Sequence, residues 1–433
     1  MDMEQIKIAL LGFGTIGGGV YTLLNENADI VAKNTGKQII IKRVFVRESE
    51  LERCRKIGGD IFTADIDDIF NDDEIRIVVE LMGGEQPATE FMLRAMNAGK
   101  SVVTANKMAI AVNGREMSLT ATKNNVHFCY EASVGGGIPI IKQITSSLGA
   151  NRIQSIMGIL NGTSNYILTK MTEKGMAFDD ALKLAQKKGY AEADPTSDVG
   201  GYDAVYKLSI LSTLAFGQYT DYEQIYRQGI EDISDEDIKF ADGLGYVIKL
   251  LAVAKQDNEG KTELRVCPTM IPKSHPMASI NGSYNAVYMM GNMVDDVMTT
   301  GKGAGARPTA SAVVSDIMSI AMDGRIINTP GMTGENILLA DSSQTQGHYY
   351  IRLLVDDKAG VLAEISGIFA QNDVGILSLT QQTNWEGQAS IIFITHMTHE
   401  QDFRKSCDEI EKLDCVKAIA NVIAIEGIVS YDV

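Results

Sequence analysis

Residues 6–17 decide the fold of this chain: the run Ile6-Lys7-Ile8-Ala9-Leu10-Leu11 leads directly into Gly12-Phe13-Gly14-Thr15-Ile16-Gly17. The apolar run is typical of a buried strand, and the GxGxxG sequence is typical of a turn that opens a helix. In that turn the first glycine makes the bend, the second lets the backbone approach a pyrophosphate, and the third lets helix and strand pack closely. The stretch therefore predicts a dinucleotide site at a helix N-terminus, with an ordinary glycine turn as the alternative.

Outward from this stretch, strands and helices alternate through the first third of the chain. Further strands are expected at 39–46, 75–81, 101–104 and 126–130, with helical segments between them. Alternation at this spacing predicts a doubly wound parallel sheet, so we expect an α/β fold with a Rossmann-like nucleotide-binding domain over residues 1–145. An apolar helix expected at 309–322 returns to this domain.

The remainder of the chain has a different texture. Residues 146–325 predict a mixed α+β domain for substrate binding and dimerisation. One of the helices expected in this domain spans residues 235–255. Residues 326–347, rich in Gly, Thr, Ser, Asn and Gln, are typical of a linker. Residues 348–433 follow the order βαββαβ, which predicts a ferredoxin-like domain.

The composition excludes several classes of protein. The 433 residues are 45% hydrophobic and 22% charged, as in ordinary globular proteins. The net charge of −17, from 39 basic and 56 acidic side chains, excludes non-specific nucleic-acid binding, because no excess of cations exists to neutralise phosphates. The five cysteines form no CxxC pair, and no apolar run is long enough to span a membrane. Since the start is acidic where a signal peptide would be basic, we expect a cytoplasmic protein.

The tip of the second strand bears on the choice of cofactor. A site for NAD usually has an acidic residue at this position, where it binds the ribose 2′-hydroxyl. Arg47 stands there instead and favours the 2′-phosphate of NADP, while the adjacent Glu48 keeps NAD as the alternative. A solvated surface cation is the other interpretation of Arg47.

Two turns at strand ends carry candidate ligand-binding residues. Lys107 follows the 101–104 strand at its carboxyl end, where doubly wound sheets bind ligands, so it is placed to meet a substrate carboxylate or the nicotinamide. Gly162 and Thr163 lie in a strand-to-helix turn, and the helix N-terminus there suits a carboxylate. The simpler interpretations are a surface lysine and an N-cap.

Two loops are rich in glycine. In 131–139 (EASVGGGIP) three consecutive glycines free the backbone to turn carbonyls inward beside Glu131, an oxygen-only arrangement that suits a hard cation of low charge. In 301–305 (GKGAG) the glycines form permissive backbone that could close over the cofactor. A plain flexible or mobile loop is the alternative in each case.

Asp203 and Lys207 lie four residues apart, so a helix places them on one face. The apolar residues Ala204 and Leu208 border Lys207, and a partly desolvated lysine held by a carboxylate is a good proton donor to a carbonyl oxygen. A routine surface ion pair is the alternative. Acidic residues in 189–198 suit a substrate ammonium group, and anion-binding turns combined with a carboxylate cluster are what an amino acid requires.

In their order along the chain these motifs are highly specific, and the chain resembles the monofunctional homoserine dehydrogenases over nearly its whole length. The matching segments are GFGTIGGGV (12–20), TANK (104–107), YEASVGGGIPI (130–140), LNGTSNYIL (160–168), GYAEADP (189–195), DVGGYDAVYKLSIL (198–211) and GKGAGARPTASAVVSD (301–316). The resemblance implies reversible reduction of L-aspartate 4-semialdehyde to L-homoserine with NAD(P)H, on the route to threonine, isoleucine and methionine.

The resemblance also implies a role for individual residues. Lys207 would donate the proton to the aldehyde oxygen, Asp203 would position or polarise it, and Lys107 matches a second active-site lysine. Glu192 would bind the substrate, and Asp198 would support it. The implied contacts of a monovalent cation, typically sodium, are the Glu131 side chain and the carbonyls of Val134, Gly136 and Ile138; those of the nucleotide are Phe13, Thr15, Ile16, Arg47 and Gly303.

The C-terminal domain resembles an ACT domain around 355–365 and 372–374. This resemblance implies either an amino-acid effector, usually threonine in the family, or a role in assembly alone, and we expect a homodimer or homotetramer. Two other functions stay open, namely a non-catalytic amino-acid sensor on the same scaffold and another semialdehyde or hydroxy-acid dehydrogenase. Aspartate-semialdehyde dehydrogenase would require a nucleophilic cysteine, and none of the five cysteines lies in a matching motif.

Overall fold

A computed structural model of the protein describes residues 3–322, 331–341, 343–383 and 387–427. The strands are β1 (Gln5–Leu11), β2 (Gln38–Phe45), β3 (Phe62–Thr63), β4 (Ile75–Glu80), β5 (Ser101–Thr104), β6 (Phe128–Cys129), β7 (Ile153–Ile159), β8 (Tyr226–Arg227), β9 (Tyr246–Gln256), β10 (Lys261–Pro272), β11 (Tyr284–Gly291), β12 (Asp295–Lys302), β13 (Leu338–Leu339), β14 (Gln346–Asp356), β15 (Ile376–Thr383), β16 (Gln388–Thr395), β17 (Thr398–His399) and β18 (Val416–Ile425). The α-helices are α1 (Thr15–Glu26), α2 (Ala28–Thr35), α3 (Glu48–Gly58), α4 (Asp67–Phe70), α5 (Ala88–Asn97), α6 (Lys107–Lys123), α7 (Ile140–Lys142), α8 (Gly162–Lys174), α9 (Phe178–Lys187), α10 (Thr196–Val199), α11 (Tyr202–Phe216), α12 (Asp235–Gly243), α13 (Ala306–Met322), α14 (Val361–Gln371) and α15 (Glu400–Ile410).

The chain divides into two compact units, each assembled from separate stretches of sequence. Unit 1 consists of Met1–Gly162, Asp203–Ile225 and Tyr284–Ile337, and unit 2 consists of Thr163–Tyr202, Tyr226–Ser283 and Leu338–Val433. The domain boundaries expected near 145, 325 and 347 stay predictions. The expected linker at 326–347 falls partly on residues outside the described ranges.

Unit 1 contains a six-stranded sheet in the order β3-β2-β1-β4-β5-β6, with every neighbouring pair parallel. This order confirms the doubly wound sheet. The last residue of β1, Leu11, pairs with Phe45 on one side and with Glu80 on the other. The glycine-rich turn therefore begins where the strand order reverses, which is the place where such sheets bind ligands.

Helix α13 packs against α1 within unit 1. A Cβ on Gly19 would lie 2.8 Å from the carbonyl oxygen of Ala306 and 3.2 Å from the Cβ of Ala310, so only glycine allows this approach. Val313 of α13 lies in the same buried cluster as Ile8 and Leu10 of β1. The helix is thus part of the core beneath the cofactor loop, although it follows that loop by almost 300 residues.

The same unit holds an antiparallel ladder of β7, β11 and β12. The pairing of β7 with β11 reaches Ile159 opposite Ala286, so it stops one position before Leu160 and Asn285. At that point the chain leaves the ladder and enters α8, which begins at Gly162. The carbonyl of Leu160 therefore has no ladder partner on β11, and this becomes important for the site.

Unit 2 contains the C-terminal βαββαβ fold, whose antiparallel sheet has the order β18-β14-β16-β15. This topology confirms the predicted ferredoxin-like domain. Its buried core includes Ile351, Phe369, Phe393 and Phe403. Strand β18 also pairs in parallel with β10, with Thr269 opposite Ala424, so the sheet continues through β10 into β9.

The prediction of a helix over residues 235–255 was wrong for its second half. Helix α12 ends at Gly243, Gly245 takes a positive φ of 84°, and β9 then runs antiparallel to β10. The seven residues 248–254 are all buried, so this run has neither helical nor strand periodicity. A short, fully buried run cannot be assigned by period alone, and its pairing with β10 decides the outcome.

No helix among the described residues has the length and apolar character needed to cross a membrane. All five cysteines have free thiols; four are buried and Cys415 is partly exposed.

Candidate active site

The glycine turn after β1 has the geometry that a dinucleotide site requires. Gly12 takes a positive φ of 101°, and its amide donates to the Phe45 carbonyl at 2.9 Å. A Cβ on Gly17 would lie 2.4 Å from the carbonyl oxygen of Gly12, so the third glycine is needed for packing. At Gly14, by contrast, a Cβ would meet nothing within 4 Å, and the residue is exposed at the start of α1. The α1 N-terminus is therefore open to a phosphate group.

The other residues of this turn have different surroundings. Thr15 is exposed in the first turn of α1, and Ile16 packs partly against the core. The Phe13 ring makes edge-to-face contacts with Tyr21 and Phe62, at centroid distances of 5.6 and 4.9 Å. The Phe13 ring is therefore packed partly against the core.

Arg47 is exposed between the end of β2 and the start of α3. Because β2 is the direct neighbour of β1 and Phe45 accepts from the Gly12 amide, the end of β2 that precedes Arg47 lies beside the glycine turn. Glu48 is the first residue of α3 and is also exposed. Both charges that bear on the choice between NADP and NAD thus lie at the tip where they were predicted.

Lys107 is positioned by a chain of hydrogen bonds at the carboxyl ends of β4 and β5. The Thr104 hydroxyl donates to Glu80 at 2.6 Å and accepts from the amide of Asn106 at 2.9 Å. The Asn106 side chain caps α6 by accepting from the amide of Ala109 at 3.1 Å. Lys107 is the first residue of that capped helix, so its backbone is well fixed.

Glu80 is a buried carboxylate that the sequence analysis missed. Its side chain accepts from the amides of Met82 and Gly83, at 2.7 and 3.1 Å, in addition to Thr104. Burial raises the pKa of this carboxyl, although these hydrogen bonds act in the opposite direction. Glu80 therefore holds the loop after β4 to the end of β5, and its place at the end of an apolar strand was the available signal.

Asp203 lies between two lysines, and this is the central feature of the site. Its Oδ2 is 2.6 Å from the Lys207 Nζ, and its Oδ1 is 3.1 Å from the Lys107 Nζ. Lys207 also donates to the Leu160 carbonyl at 2.8 Å. Asp203 and Lys207 are 5% and 8% exposed, whereas the Lys107 side chain is 40% exposed. The alternative of a routine surface ion pair between Asp203 and Lys207 is thereby excluded.

The electrostatics of this cluster favour an anionic oxygen. Burial acts to raise the pKa of the Asp203 carboxyl, but the charges of Lys207 and Lys107 and the hydrogen bonds from Lys207 and Asn161 outweigh it and hold the pKa well below its ordinary value. Asp203 is therefore ionised at neutral pH and neutralises one of the two ammonium groups. The cluster keeps a net positive charge, and one of its two ammonium groups, that of Lys207, is buried.

Two asparagines complete the cluster, and neither was among the predicted site residues. Asn161 donates to the Asp203 Oδ2 at 2.9 Å, and Asn285 donates to the Leu160 carbonyl at 2.8 Å. Asn161 stood inside the quoted LNGTSN segment, so a signal for it was present. Asn285 lies on β11, 78 residues after Lys207, and no local pattern marked it.

The predicted substrate residues fall on both units. Gly162 follows Asn161 directly and starts α8. Thr163, Glu192 and Asp198 belong to unit 2. There the Thr163 hydroxyl donates to the Tyr190 carbonyl at 2.7 Å, which ties the start of α8 to the loop that carries Glu192. Glu192 is exposed, and its backbone carbonyl accepts from Gln186; Asp198 is partly buried in the short helix α10.

The residues predicted to hold a cation are all buried. The two Glu131 carboxylate oxygens accept from the amides of Ile141 and Lys142, each at 2.8 Å. Burial, followed by the nearby charge of Asp316, raises the pKa of Glu131 to about 7. Gly135 and Gly136 take positive φ values of 72° and 55°, which turn the loop that carries the carbonyls of Val134, Gly136 and Ile138.

The two glycine-rich loops pack directly against each other. The Gly137 amide donates to the Lys302 carbonyl at 3.0 Å, and a Cβ on Gly136 would lie 2.5 Å from the carbonyl oxygen of Gly303. Gly136 therefore tolerates no side chain without movement of the Gly303 backbone. The 301–305 loop, which contains the predicted nucleotide contact Gly303, is thus held against the 131–139 loop.

Three families match successive parts of the chain. Residues 12–131 match the NAD-binding domain of homoserine dehydrogenase, residues 139–318 match the homoserine dehydrogenase family, and residues 349–415 match the ACT domain. These matches agree with the Rossmann-like sheet and the βαββαβ domain described above. They confirm the resemblance that the motifs suggested.

Relatives of the chain carry the same description over their full length. It is 44% identical to the homoserine dehydrogenase of Synechocystis sp., with 97% of this chain and 99% of the relative covered, and 41% identical to that of Neisseria gonorrhoeae, with 98% and 100% covered. The crystal structure of a homoserine dehydrogenase from Thiobacillus denitrificans matches with a TM-score of 0.92 at 40% identity, covering 98% of this chain and 99% of that one. A hyperthermophilic archaeal homoserine dehydrogenase in complex with NADPH matches at a TM-score of 0.63 and 27% identity, covering 73% of this chain and 98% of its own. The chain belongs to the homoserine dehydrogenase family.

Proposed function

We propose that this chain catalyses the reversible reduction of L-aspartate 4-semialdehyde to L-homoserine, with Lys207 as the proton donor. The observation that supports it best is the contact of Asp203 with Lys107 and Lys207, 3.1 and 2.6 Å away. A buried ammonium that is fixed by a carboxylate and a backbone carbonyl is suited to hold and release a proton at one defined point. A sensor without catalysis would not need this arrangement.

The residues divide the work as follows. Lys207 donates its proton to the aldehyde oxygen during reduction and takes it back during oxidation. Asp203 keeps Lys207 oriented and, being ionised, favours its ammonium form. Lys107, the more exposed lysine, binds an anionic group of the substrate or cofactor. The nicotinamide, when bound, supplies the hydride to the aldehyde carbon.

The first experiment measures homoserine oxidation as formation of NADPH. Lys207→Ala should lower kcat on the order of 100- to 10,000-fold, as expected for loss of a general acid–base group. Lys100→Met is a matched control, because Lys100 is also buried and donates to backbone carbonyls, at the amino-terminal edge of the sheet. It should keep wild-type kcat. Full activity of Lys207→Ala, or no turnover by the wild type, would contradict the proposal.

We infer that Gly162 and Thr163, at the start of α8, bind the substrate carboxylate, that Glu192 binds the substrate and that Asp198 supports it. The start of a helix offers amide donors to an anion, and the exposed Glu192 carboxylate suits an ammonium. Glu192→Gln should raise the KM for homoserine while the KM for the cofactor stays unchanged. An unchanged KM for homoserine would remove Glu192 from the substrate site.

We also infer a preference for NADP over NAD, carried by Arg47. Arg47→Ala should raise the KM for NADP about tenfold and that for NAD by less than about threefold, because only NADP has a 2′-phosphate to lose its charged partner. Arg53→Ala is the control, since Arg53 is an exposed arginine of α3, the helix that follows Arg47, and pairs with Glu50 at 3.1 Å. Equal losses for both cofactors would exclude this role of Arg47.

The buried loop around Glu131 fits a monovalent cation such as sodium. A buried carboxylate beside Asp316, with neutral carbonyls of Val134, Gly136 and Ile138 in the same loop, lacks charge for a divalent ion but gains from one positive charge. The cation would hold the loop in place and would take no part in proton transfer. Activity in NaCl compared with choline chloride at equal ionic strength tests this, and equal rates would exclude a functional cation.

For the ACT domain we propose binding of an amino-acid effector, with threonine as the first candidate, in a homodimer or homotetramer. ACT domains in general bind amino acids, and the domain here has the complete βαββαβ order. Calorimetric titration with threonine, isoleucine and methionine distinguishes the effectors. Absence of binding to all three, with a defined oligomer by ultracentrifugation, would leave the domain a role in assembly.

A further inference from the structure

We propose that Asn285 is a positioning residue for the proton donor, acting through the carbonyl of Leu160. This inference rests on the proposed role of Lys207. Asn285 is completely buried on β11, and its Nδ2 donates to the Leu160 carbonyl at 2.8 Å. The Lys207 Nζ donates to the same oxygen, also at 2.8 Å. One carbonyl thus receives both the catalytic lysine and the asparagine.

The position of Leu160 explains why its carbonyl needs such a partner. The backbone pairing of β7 with β11 ends at Ile159 opposite Ala286, one step before Leu160. Two residues later the chain enters α8. The Leu160 peptide is therefore held by neither the ladder nor the helix, and the Asn285 side chain supplies the hydrogen bond that the ladder would have made.

The orientation of the Asn285 amide is fixed by this contact. A backbone carbonyl only accepts, so the Nδ2 must face Leu160 and the Oδ1 must face the other way. That Oδ1 is buried and has no hydrogen-bond partner among the described residues. An unpaired buried acceptor destabilises the fold, so an apolar side chain here would favour stability. The amide is therefore better explained by its donor than by the stability of β11.

Gly303 limits the rotation of the same amide. A Cβ at position 303 would lie 2.2 Å from Asn285 Cγ and 2.3 Å from its Oδ1, so the 301–305 backbone lies directly against the amide. Asn285 itself pairs with Gly301 in the ladder of β11 and β12, which brings this loop alongside. The amide is thus enclosed between the loop of the predicted nucleotide contact Gly303 and the carbonyl that holds Lys207.

The expected consequence is a defect in chemistry with little change in substrate binding. Without the Asn285 donor, the Leu160 peptide is free to turn, and the contact of Lys207 with the Leu160 carbonyl is no longer fixed. The Asp203 contact remains, with the charge of Lys107 beyond it. A small misplacement of a proton donor lowers the rate strongly, so we expect kcat to fall roughly 10- to 100-fold.

The test compares Asn285→Asp, Asn285→Ala and Val287→Ala in homoserine oxidation. Asn285→Asp keeps the shape of the side chain but replaces the donor with a carboxylate. This carboxylate is close to Lys207, because in the wild type the Asn285 Nδ2 and the Lys207 Nζ each lie 2.8 Å from the Leu160 carbonyl oxygen. We expect a kcat lowered roughly 10- to 100-fold in both Asn285 variants, with the KM for homoserine changed less than about threefold. In Asn285→Asp the rising, acid-side limb of the kcat–pH profile for homoserine oxidation should also move to higher pH, because the added negative charge favours the lysine ammonium whereas oxidation needs the neutral amine to take up the proton.

Val287→Ala is the stability control, since Val287 is completely buried on the same strand, two residues away. It should lower Tm and leave the pH profile unchanged. Gly303→Ala is a route that keeps Asn285 itself, because its Cβ displaces the amide. It is measured at saturating cofactor, with the KM for the cofactor, Tm and oligomeric state alongside, because Gly303 is also a predicted nucleotide contact. If the Asn285 variants do not fold, a lower kcat at saturating cofactor with the wild-type Tm supports the proposal, and a rise in the cofactor KM alone overturns it.

A kcat within twofold of wild type in both Asn285 variants would overturn the proposal. The proposal would also be overturned if the loss of kcat in the variants parallels their loss of Tm and their kcat–pH profile stays that of the wild type. Absence of turnover in the wild type would contradict the proposed function instead, and it is seen before any Asn285 variant is measured.

Discussion

At the scale of single residues, the chemistry depends on how Asp203 is surrounded. Three side chains, those of Asn161, Lys107 and Lys207, contact the Asp203 carboxylate, which lies between two ammonium groups. Asp203 is buried, so it would be costly there without those partners. Its contacts make it both a structural counter-ion and the group that orients Lys207.

Asp203→Asn tests that dual role. The neutral amide cannot accept from Lys207, Lys107 and Asn161 together, so two positive charges remain uncompensated in a buried cluster. We expect kcat for homoserine oxidation to fall on the order of 100-fold or more. Asp72→Asn is the control. The Asp72 carboxylate lies 2.6 Å from the Lys42 Nζ in an ion pair outside the site, so this variant should keep the wild-type kcat. A similar kcat for both variants would remove Asp203 from the mechanism.

Lys249 provides a prediction on pH. This lysine is buried on β9 and donates to the Ile280 carbonyl, Asn281 and Asn165, at 2.7, 3.0 and 3.3 Å, all of them neutral. Burial lowers its pKa from 10.5 to about 8. Between those values the unfolded chain keeps the proton and the folded protein releases it, so the free energy of unfolding rises with pH, by about 3 kcal/mol over the full range.

The measurement is Tm for wild type and Lys249→Met between pH 7 and pH 10. Methionine does not titrate, so subtracting its Tm removes the contribution of tyrosines and other lysines. The difference in Tm between wild type and variant should move in favour of the wild type as the pH rises above about 8. A difference that is constant with pH would show that Lys249 keeps its ordinary pKa.

At the scale of elements, a buried ion pair joins β14 to α12 within unit 2. The Arg352 guanidinium donates to both Asp237 oxygens, at 2.7 and 3.3 Å, and Asn421 and Tyr350 donate to the same carboxylate. Asp237 is fully buried and also forms the capping box of α12 with Ser234. One carboxylate therefore starts a helix and anchors a strand of the ACT domain to it.

Arg352→Met should destabilise unit 2 by about 3–5 kcal/mol, because it leaves the Asp237 charge buried without its partner. Arg404→Ala is the control for an exposed pair, Arg404 and Glu400 at 3.2 Å, and should cost at most about 1 kcal/mol. Urea denaturation gives both values. If the midpoints of the two variants coincide, the buried pair contributes no more than a surface pair.

The Asp237 carboxylate also makes the contact between β14 and α12 sensitive to acid. Burial raises the pKa of Asp237, but the hydrogen bonds from Arg352 and Asn421 and the Arg352 charge outweigh it, so the pKa lies below its ordinary value. The stabilisation is therefore present above the pKa of the unfolded carboxyl and is lost as the pH falls through the lower, folded value.

At the scale of the whole molecule, the ACT domain is built into the sheet of unit 2. Strand β18 pairs with β10, β13 does so as well, and Glu426 just beyond β18 contacts Lys255 of β9 at 2.6 Å. A chain that stops after residue 341 loses β18 and Arg352 together. It exposes part of the β10 edge and leaves Asp237 without its arginine.

We therefore expect such a truncated chain to unfold at a lower Tm and to aggregate, beyond any loss of regulation. Size-exclusion chromatography and a thermal melt against the full chain measure this. A truncated chain that matches the wild-type Tm and oligomeric state would show that the ACT domain is an independent addition.

The net charge of −17 is distributed unevenly along the chain. Residues 1–145 carry 16 basic and 19 acidic side chains, whereas residues 346–433 carry 6 and 13. The part with the phosphate-binding turn is thus nearly neutral, and the C-terminal part is strongly acidic. This distribution agrees with the proposal that the anionic cofactor is bound by placed groups such as Gly14 and Arg47 rather than by the net charge.

By itself, the sequence determined the doubly wound sheet, the ACT domain, the glycine turn and the spacing of Asp203 and Lys207. These are local patterns, in which residues close in the chain are also close in space. Only the tertiary structure decided that Lys207 is buried, that Lys107 reaches the same carboxylate, and that residues 246–256 form a strand. Those outcomes depend on partners far away in sequence, and so does the role of Asn285, whose only mark is a contact made across strands.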